Sequence, residues 1–291
     1  MISGASTGGF TRSPSSTPSG STLSTPSPAT ATARISTPSR GFSRRSTCCG
    51  SPGPRSLTPG RPWGVLYSLL RLRGIRRCDA IVTTSPVSDR QLRQYGRVTA
   101  DEMIPLDVPA DRLAEPTPVG DPPQVLVVGR IEPRKGQYRV LAHLDPDASA
   151  YEVDIAGGVT DGTYAARFRD RWHDRMRGYV PDDRLRELYC EADIVVMPSY
   201  HKTFGIVGLE AIASGCALVV TDTCGFAQLP DSTTDNGVFV VADGRKAAET
   251  VRTLCGRSDL ASVKRRARKH AESVTWSEVA ACYESLYRAV A

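Results

Sequence analysis

The sequence predicts an α/β protein built on a doubly wound parallel sheet. From residue 124 onward, short runs of Val, Ile, Leu and Ala alternate with longer helical stretches. The apolar runs are nearly continuous, which is typical of strands buried on both faces of a parallel sheet between two layers of helices. The chain has 291 residues, a length that suits one large domain or two ordinary ones.

Residues 1–63 differ sharply from this pattern. They are dominated by Ser, Thr, Pro and Gly and have few apolar residues at helix or strand spacing. Such a segment cannot bury enough apolar surface to offset the entropy lost on ordering its backbone, so we expect a disordered tail. Its lack of Asp, Glu and Lys would also result from a GC-rich gene read in the wrong frame or from a misplaced start, and both interpretations stay open.

The formal net charge of +6 comes from this tail. Seven of the 37 basic residues and none of the 31 acidic residues lie in residues 1–63, so the remainder of the chain is close to neutral. We therefore predict no nucleic-acid partner for the folded part. A contact of the basic tail with nucleic acid or with an acidic membrane is a separate alternative.

The cysteines and the apolar runs limit the class of protein further. Eight cysteines occur without a CxxC pair and without His at ligand spacing, which predicts small buried residues in a reducing compartment and no metal site. No run reaches the roughly 18 to 20 apolar residues needed to span a bilayer, and the start lacks the apolar core of a signal peptide. These observations predict a cytoplasmic protein.

The predicted folded part begins with a short α/β block over residues 64–106. The stretch VLYSLLRLRGIRRC predicts a helix, DAIVTTS a buried strand, VSDRQLRQYG a second helix and DEMIPL a short strand. Residues 107–123 are rich in Pro and Asp and predict an interdomain linker.

A regular alternation of strands and helices is predicted beyond this linker. The predicted strands are 124–129, 151–156, 175–179, 194–199, 217–221 and 238–241. The predicted helices are 136–144, 163–173, 181–191, 206–214 and 244–254, followed by 259–273 and 276–291.

Two loops that follow strands of the predicted sheet carry candidate ligand-binding residues. In VLVVGRIEPRKGQ, Gly129 and Gly136 bound a loop that contains Arg130 and Lys135. Ligands bind at the carboxyl ends of the strands in a doubly wound sheet, so a glycine turn with two cations suits an anion. The pattern is neither a Walker loop nor GxGxxG, and two exposed cations on a loop would look the same.

The second loop lies in SYHKTFGIVGLEAIASG, residues 199–215, between an apolar strand and a helix that begins near Gly205 to Val207. The amides at a helix start attract phosphate oxygens, and a glycine lets a ligand approach the backbone. Glu210 follows within the first turns of the helix, where it would either accept a pair of hydroxyls, such as those of a ribose, or complement the helix dipole. Together the two loops would hold the diphosphate of a nucleotide.

The ordered motifs GR…KG, DDRLRELYCEADIVVMPS, FGIVGLEAIASG and W…YESLYRAV resemble the C-terminal domain of retaining glycosyltransferases of the GT-B fold, family 4. The resemblance covers residues 124–291 and, less specifically, extends back to residue 64. It implies a Rossmann-like nucleotide-sugar donor domain over residues 124–274 and a C-terminal helix over residues 275–291 that crosses back to the N-terminal part. Residues 64–106 would be the remnant of an N-terminal, Rossmann-like acceptor domain.

The resemblance also implies roles for individual residues. Arg130 and Lys135 look like the family's two cations on the donor diphosphate. Glu210 looks like the second Glu of its E-x7-E signature, which binds the ribose hydroxyls, and Tyr179 and Val180 stand where the family borders the base. The candidate donor-binding residues are therefore Gly129, Arg130, Lys135, Gly136, Val180, Lys202, Phe204, Gly205, Ile206, Val207 and Glu210, with the amides from Phe204 to Ile206 on the phosphate and the donor sugar.

Two features depart from the family pattern. Lys202 stands eight residues before Glu210, where the family usually has the first Glu of the signature, near the donor sugar. Lys202 could contact a phosphate, His201 could supply the polar group instead, or Lys202 could be a solvated loop residue. The segment that would hold the family's glycine-rich loop and functional His is occupied by the tail, so the catalytic residues stay unassigned.

The function implied by the resemblance is transfer of a sugar from a nucleoside diphosphate sugar to a hydroxyl acceptor, with retention at the anomeric carbon. The enzyme would be a retaining hexosyltransferase that uses neither a metal nor another cofactor. The alternative is an inactive nucleotide-sugar-binding module or fragment that needs a second chain for the acceptor site. The acceptor is a glycan, a lipid-linked molecule or a small molecule, and a lipid-linked acceptor is compatible with peripheral contact at the inner face of the membrane.

Overall fold

The computed structural model describes residues 48–49, 73–108, 114–273 and 276–290, all within the unit Arg44–Ala291, one of two into which the chain divides. Most of the predicted tail, residues 1–63, lies outside the described residues, as does most of the helix predicted in VLYSLLRLRGIRRC. Within the tail, Cys48–Cys49 form a strand that the sequence does not predict, because these residues pair with a buried strand further along the chain.

A small parallel sheet precedes the linker. Strand β1 (Cys48–Cys49) pairs with β2 (Ile81–Thr83), and β2 pairs with β3 (Glu102–Met103). Helix α1 (Pro86–Gln91) follows β2 and continues as a π-helical turn over Leu92–Gly96. A capping box of two serines begins α1 directly after the strand, which satisfies backbone N–H groups that would otherwise lack partners.

The main sheet is parallel throughout, as predicted. Among the described residues it contains six strands, in the spatial order β6-β5-β4-β7-β8-β9. Their bounds are β4 (Gln124–Val128), β5 (Glu152–Ala156), β6 (Met176–Gly178), β7 (Ile194–Met197), β8 (Ala217–Thr221) and β9 (Val238–Val241). The order reverses between β4 and β7, which is where ligands bind in doubly wound sheets.

Helices follow the strands in turn. Their bounds are α2 (Gln137–Leu141), α3 (Gly162–Trp172), α4 (Asp182–Glu191), α5 (Ile206–Ala213), α6 (Gly244–Cys255), α7 (Leu260–Glu272) and α8 (Trp276–Val290). Helix α2 is shorter than the predicted 136–144, because Gly136 has a left-handed backbone and the chain leaves the helix after Leu141.

The sheet separates two apolar cores. Val195 and Met197 of β7 lie in one core, together with residues of α4 and α5. Ile194 and Val196, which alternate with them, lie in the other core with residues of α2, α3 and α6. Both faces of β7 are therefore buried, and this burial explains the uninterrupted apolar run in its sequence.

The cysteine prediction is only partly correct. Cys216 and Cys224 are buried free thiols, and burial raises the pKa of Cys216 to about 12. Cys282 is exposed, and Cys78 is disulfide-bonded, so the prediction of small buried, reduced residues is wrong for these two. Of the helices in the described ranges, none is both long enough and apolar enough to cross a membrane.

A buried ion pair joins the segment that precedes β4, the sheet and α7. The Asp193 carboxylate and the Lys264 ammonium are 0% and 1% exposed, and their Oδ1 and Nζ atoms are 2.6 Å apart. The other carboxylate oxygen accepts hydrogen bonds from the backbone N–H groups of Gly120 at 3.1 Å and Gln124 at 2.8 Å. Lys264 also donates to the Thr117 hydroxyl at 3.3 Å. Both charges are thus satisfied by partners from three separate segments.

We expect the Lys264→Met variant to lose about 3–5 kcal/mol of unfolding free energy, because it leaves a carboxylate buried without its counter-charge. The quantity is measured from the midpoint and slope of urea unfolding. The exposed Lys269 of the same helix supplies the matched control, since Lys269→Met should change stability by less than about 0.5 kcal/mol. Equal losses in the two variants would contradict a stabilising role for the buried pair.

Candidate functional site

The loops after β4, β5 and β7 meet in direct backbone contact. Gly157 follows β5 with φ +153°, and a Cβ there would lie 2.1 Å from the carbonyl oxygen of Gly129. Gly136 has φ +71°, and a Cβ there would lie 2.0 Å from the carbonyl oxygen of Pro198, just after β7. Only glycine fits at either position. Residues 129–136 are therefore wedged between the ends of β5 and β7.

Gln137, which the sequence does not single out, fixes this loop from below. Its side chain is 1% exposed and donates hydrogen bonds to the carbonyl oxygens of Gly129 at 3.1 Å and Arg130 at 2.9 Å. The backbone N–H of Tyr200 donates to the carbonyl of Arg134 at 3.0 Å, which joins the first loop to the second. The sequence signal available for Gln137 was a glutamine directly after the glycine turn.

Lys135 and Lys202 bring two ammonium groups into one region. The Lys135 ammonium lies over Gly129, where an added Cβ would be 3.4 Å from Nζ. Burial lowers the pKa of Lys135 to about 8, and the charge of Lys202 is the next largest cause. Among the described residues, no carboxylate forms a salt bridge with either lysine. The structure thus brings these two cations together with no carboxylate in salt-bridge contact, although the more distant charge of Glu132 partly offsets the lowering of the Lys135 pKa.

Arg130 is differently placed. It is more than half exposed and pairs with the Glu132 carboxylate at 3.4 Å, while Arg134 pairs with the same carboxylate at 3.0 Å. Burial raises the pKa of Glu132, but the hydrogen bond from Arg134 and the charges of Arg130, Arg134 and Lys135 outweigh it and lower the pKa. The sequence predicts Arg130 as a site residue and misses Glu132, the carboxylate that pairs with both Arg130 and Arg134.

Helix α5 is preceded by Gly205, whose backbone conformation only glycine adopts readily. Gly205 has φ +111°, and a Cβ there would touch the Met197 side chain at 3.0 Å. No side chain caps the first turn, which begins with Ile206 and Val207. Ile206 is 44% exposed, so the helix start is accessible from solvent. Its amides are available to an anion.

Phe204 contributes to this site through its backbone. Its side chain is buried and packs edge-to-face against Phe226, with ring centroids 6.1 Å apart. The carbonyl of Phe204 accepts a hydrogen bond from the Phe226 N–H at 2.8 Å. The aromatic ring therefore anchors the loop in the core and does not line the cleft.

Glu210 lies one turn into α5 and is half-buried. The buried hydroxyl of Tyr189, on α4, donates to its Oε2 at 3.0 Å. Val180, after β6, packs against the same apolar core as Tyr189. Its neighbour Tyr179 is 81% exposed. Val180 therefore packs against the core that contains Tyr189, the hydrogen-bond partner of Glu210, and the exposed Tyr179 precedes Val180 in the chain.

The α1 block, residues 85–96, contacts the second loop. The Ser85 hydroxyl donates to the carbonyl of Thr203, and the Gln91 amide contacts the His201 ring. His201 is thus engaged with α1. Within the described ranges, no group of three or more His, Cys, Asp or Glu side chains is arranged to hold a metal ion.

Comparisons with known proteins identify the family of this chain. The model of the family "Glycosyl transferases group 1" matches residues 111–270, more than half of the chain. A D-inositol 3-phosphate glycosyltransferase of Streptomyces bingchenggensis (strain BCW-1) is 30% identical over 243 residues, which cover 71% of this chain and 52% of that protein. The chain thus spans about half the length of the curated relatives it matches.

Two solved structures share the fold. Sucrose-phosphate synthase from Thermosynechococcus elongatus superposes with a TM-score of 0.64 at 21% identity, over 78% of this chain and 62% of that one. Anabaena HepE, in complex with UDP and glucose, superposes with a TM-score of 0.64 at 17% identity, over 77% of this chain and 67% of that one. The predicted α/β fold of the GT-B type is confirmed. With the family model matched over more than half its length, this chain belongs to the glycosyl transferases group 1 family.

Proposed function

We propose that this chain binds the nucleoside diphosphate sugar of a family 4 glycosyltransferase, which transfers the sugar to a hydroxyl acceptor with retention at the anomeric carbon. The observation that carries the proposal is the convergence of Lys135, Lys202 and the open start of α5 at the carboxyl ends of β4 and β7. Relatives whose names describe glycosyl transfer, and a structural neighbour solved with UDP and glucose, support it.

The diphosphate would lie between the two loops. Burial and the charge of Lys202 lower the pKa of Lys135, so an anion between the two lysines would stabilise the Lys135 ammonium, and the uncapped amides of α5 would add donors to the phosphate oxygens. Negative charge grows on the diphosphate as the glycosidic bond breaks, so fixed cations stabilise the leaving group. The proposed enzyme needs no cofactor beyond its donor substrate.

The nucleoside would lie toward α4 and β6. The Glu210 carboxylate, which accepts a hydrogen bond from the Tyr189 hydroxyl at 3.0 Å, would also accept the ribose hydroxyls. Val180 and the exposed Tyr179 would border the base, since they follow β6 at the same edge of the sheet.

Lys202 decides between donor binding and complete turnover. A carboxylate at this position would face the donor sugar, whereas the observed ammonium lies close enough to Lys135 to lower its pKa. We assign Lys202 to the diphosphate. A module that binds the donor but needs a second chain for transfer is the second candidate, and this substitution of charge favours it.

The donor site is tested by thermal shift against UDP, GDP, ADP and inorganic phosphate. A diphosphate at about 100 times its Kd should stabilise the protein by about 2.7 kcal/mol, which raises the melting temperature by a few degrees. In Lys135→Met the shift should vanish, while the melting temperature without ligand should not fall, because a half-buried unpaired ammonium has been removed. An unchanged shift in this variant would remove the diphosphate from the proposed place.

The affinity for UDP should depend on pH through Lys135. Lys135 has a pKa of about 8 without a ligand and would have a higher pKa beside a bound diphosphate. Above pH 8, Lys135 should therefore take up a proton when the diphosphate binds. The affinity should therefore be constant just below this pH and fall as pH rises through it, by up to about tenfold per pH unit. Calorimetric titration measures the effect. Lys135→Arg is the control, because arginine keeps its charge and should remove the slope.

Glu210→Gln should separate the nucleoside from the phosphates. The amide keeps the size of the side chain and an acceptor for Tyr189, but it loses the charge that strengthens hydrogen bonds to ribose hydroxyls. We expect UDP affinity to fall about tenfold or more, while the affinity for inorganic diphosphate stays within about twofold. A similar loss for both ligands would indicate that Glu210 acts on the loop and not on the ribose.

A further inference from the structure

A second cavity lies outside the proposed donor site. Its volume is about 470 Å³, which is the size of a small-molecule site. It opens between α2, α3, the start of α6 and the loop after β7. The side chains that matter most in its lining are Tyr138, Arg139, Tyr164, Arg167, Tyr200 and Asp243. None of them is among the candidate donor-binding residues.

Two arginines in this cavity stack on tyrosine rings. The guanidinium of Arg139 lies 4.2 Å from the ring centroid of Tyr200, and that of Arg167 lies 3.8 Å from the ring centroid of Tyr138. Within the part of the chain that the structure describes, neither arginine forms a salt bridge. A guanidinium that stacks through its face keeps the N–H groups in its plane for another acceptor. Both cations are thus held in place without a salt bridge, and Asp243 is the nearby carboxylate whose pKa the charge of Arg139 helps to lower.

The walls of the cavity are fixed by packing. The Tyr164 hydroxyl accepts a hydrogen bond from the N–H of Tyr138 at 2.9 Å, and the Tyr164 ring is buried against Phe168 with centroids 5.8 Å apart. On the opposite side, a Cβ on Gly244 would lie 2.4 Å from the Cβ of Arg139. The close approach of α2 and α6 therefore depends on this glycine and sets the position of Arg139.

The other charges near the cavity are largely engaged. Arg245 pairs with Glu249 through Nε and Oε1 at 3.2 Å. The Asp243 carboxylate accepts a hydrogen bond from the N–H of Lys246 at 2.9 Å and caps α6. What remains is an excess of two guanidinium groups beside a single carboxylate and three tyrosines. This lining suits a ligand with one strongly anionic end and a polar, hydroxyl-bearing body.

We propose that the cavity binds a sugar phosphate monoester, with the phosphate between Arg139 and Arg167. A phosphate monoester carries close to two negative charges at neutral pH and matches two guanidinium groups in charge and in planar donor geometry. The sugar ring lies against the tyrosine rings, and Asp243 accepts its hydroxyls. This site stands apart from the proposed donor function, since it uses different residues.

Calorimetric titration with glucose 6-phosphate tests the site on the full chain, with inorganic phosphate and glucose as partial probes. The sugar phosphate should bind more tightly than phosphate alone, and glucose should not bind measurably. Arg139→Gln and Arg167→Gln should each weaken binding by about tenfold or more. Arg169→Gln, on the exposed face of α3, is the matched control and should bind like the unmodified chain, as should Lys135→Met.

Three outcomes would overturn the proposal. They are the absence of glucose 6-phosphate binding to the unmodified chain, equal binding in Arg167→Gln and Arg169→Gln, and loss of binding in Lys135→Met alone, which would place the ligand in the donor site. The melting temperature of each variant establishes that it is folded, and Arg167 is exposed, so its replacement is compatible with an intact core. Failure of UDP to bind would leave this test unaffected, because the two sites are read by different variants.

Discussion

The structure depends on a backbone contact that leaves no room for a side chain. At the carboxyl ends of three neighbouring strands, Gly157 lies against the carbonyl of Gly129, and Gly136 lies against the carbonyl of Pro198. A methyl group at Gly157 or Gly136 would come within about 2 Å of a carbonyl oxygen, so the loops could no longer meet. Because the loops do meet, residues 129–136 are held at the point where the strand order reverses. The positions of the charged side chains in the proposed site therefore depend on this contact.

The sequence predicts the sheet well because the relevant signal is local. The apolar runs of β4, β7 and β8 are buried on both faces, and this burial requires nothing beyond the run itself and the helices that flank it. The glycines of the first loop were also readable, since turns that need a left-handed backbone select glycine. The pair of Asp193 and Lys264, separated by 71 residues, was not, because nothing in either neighbourhood marks a buried charge. The stacking of Arg139 on Tyr200 was missed for the same reason, because Tyr200 lies in another loop.

The domain buries positive charge in two opposite ways. Lys264 is fully buried and is paired with a carboxylate at 2.6 Å, so its charge helps to hold together the segment before β4, the sheet and α7. Lys135 is half-buried and has a second cation as its neighbour, which keeps its pKa near 8. A half-buried ammonium beside a second cation destabilises the fold slightly and strongly favours the binding of an anionic ligand. Asp193 and Lys264 lie at the amino-terminal edge of the sheet, and Lys135 and Lys202 lie at its carboxyl edge. The stabilising ion pair and the proposed binding site are therefore at opposite edges of one layer.

The position of Lys202 bears on what the proposed site would do with a bound donor. A cation beside the diphosphate stabilises the intact donor and the departing diphosphate alike, and only the part of that interaction that grows as the bond breaks lowers the barrier. A carboxylate in this position would instead act on the sugar, and no other carboxylate of the second loop replaces it, since the loop from Ser199 to Gly205 contains none. The loop does contain His201, but its ring is in contact with Gln91 of the α1 block. In the proposed site, recognition would therefore be concentrated on the nucleotide half of the donor, and control of the sugar would have to come from groups outside this loop.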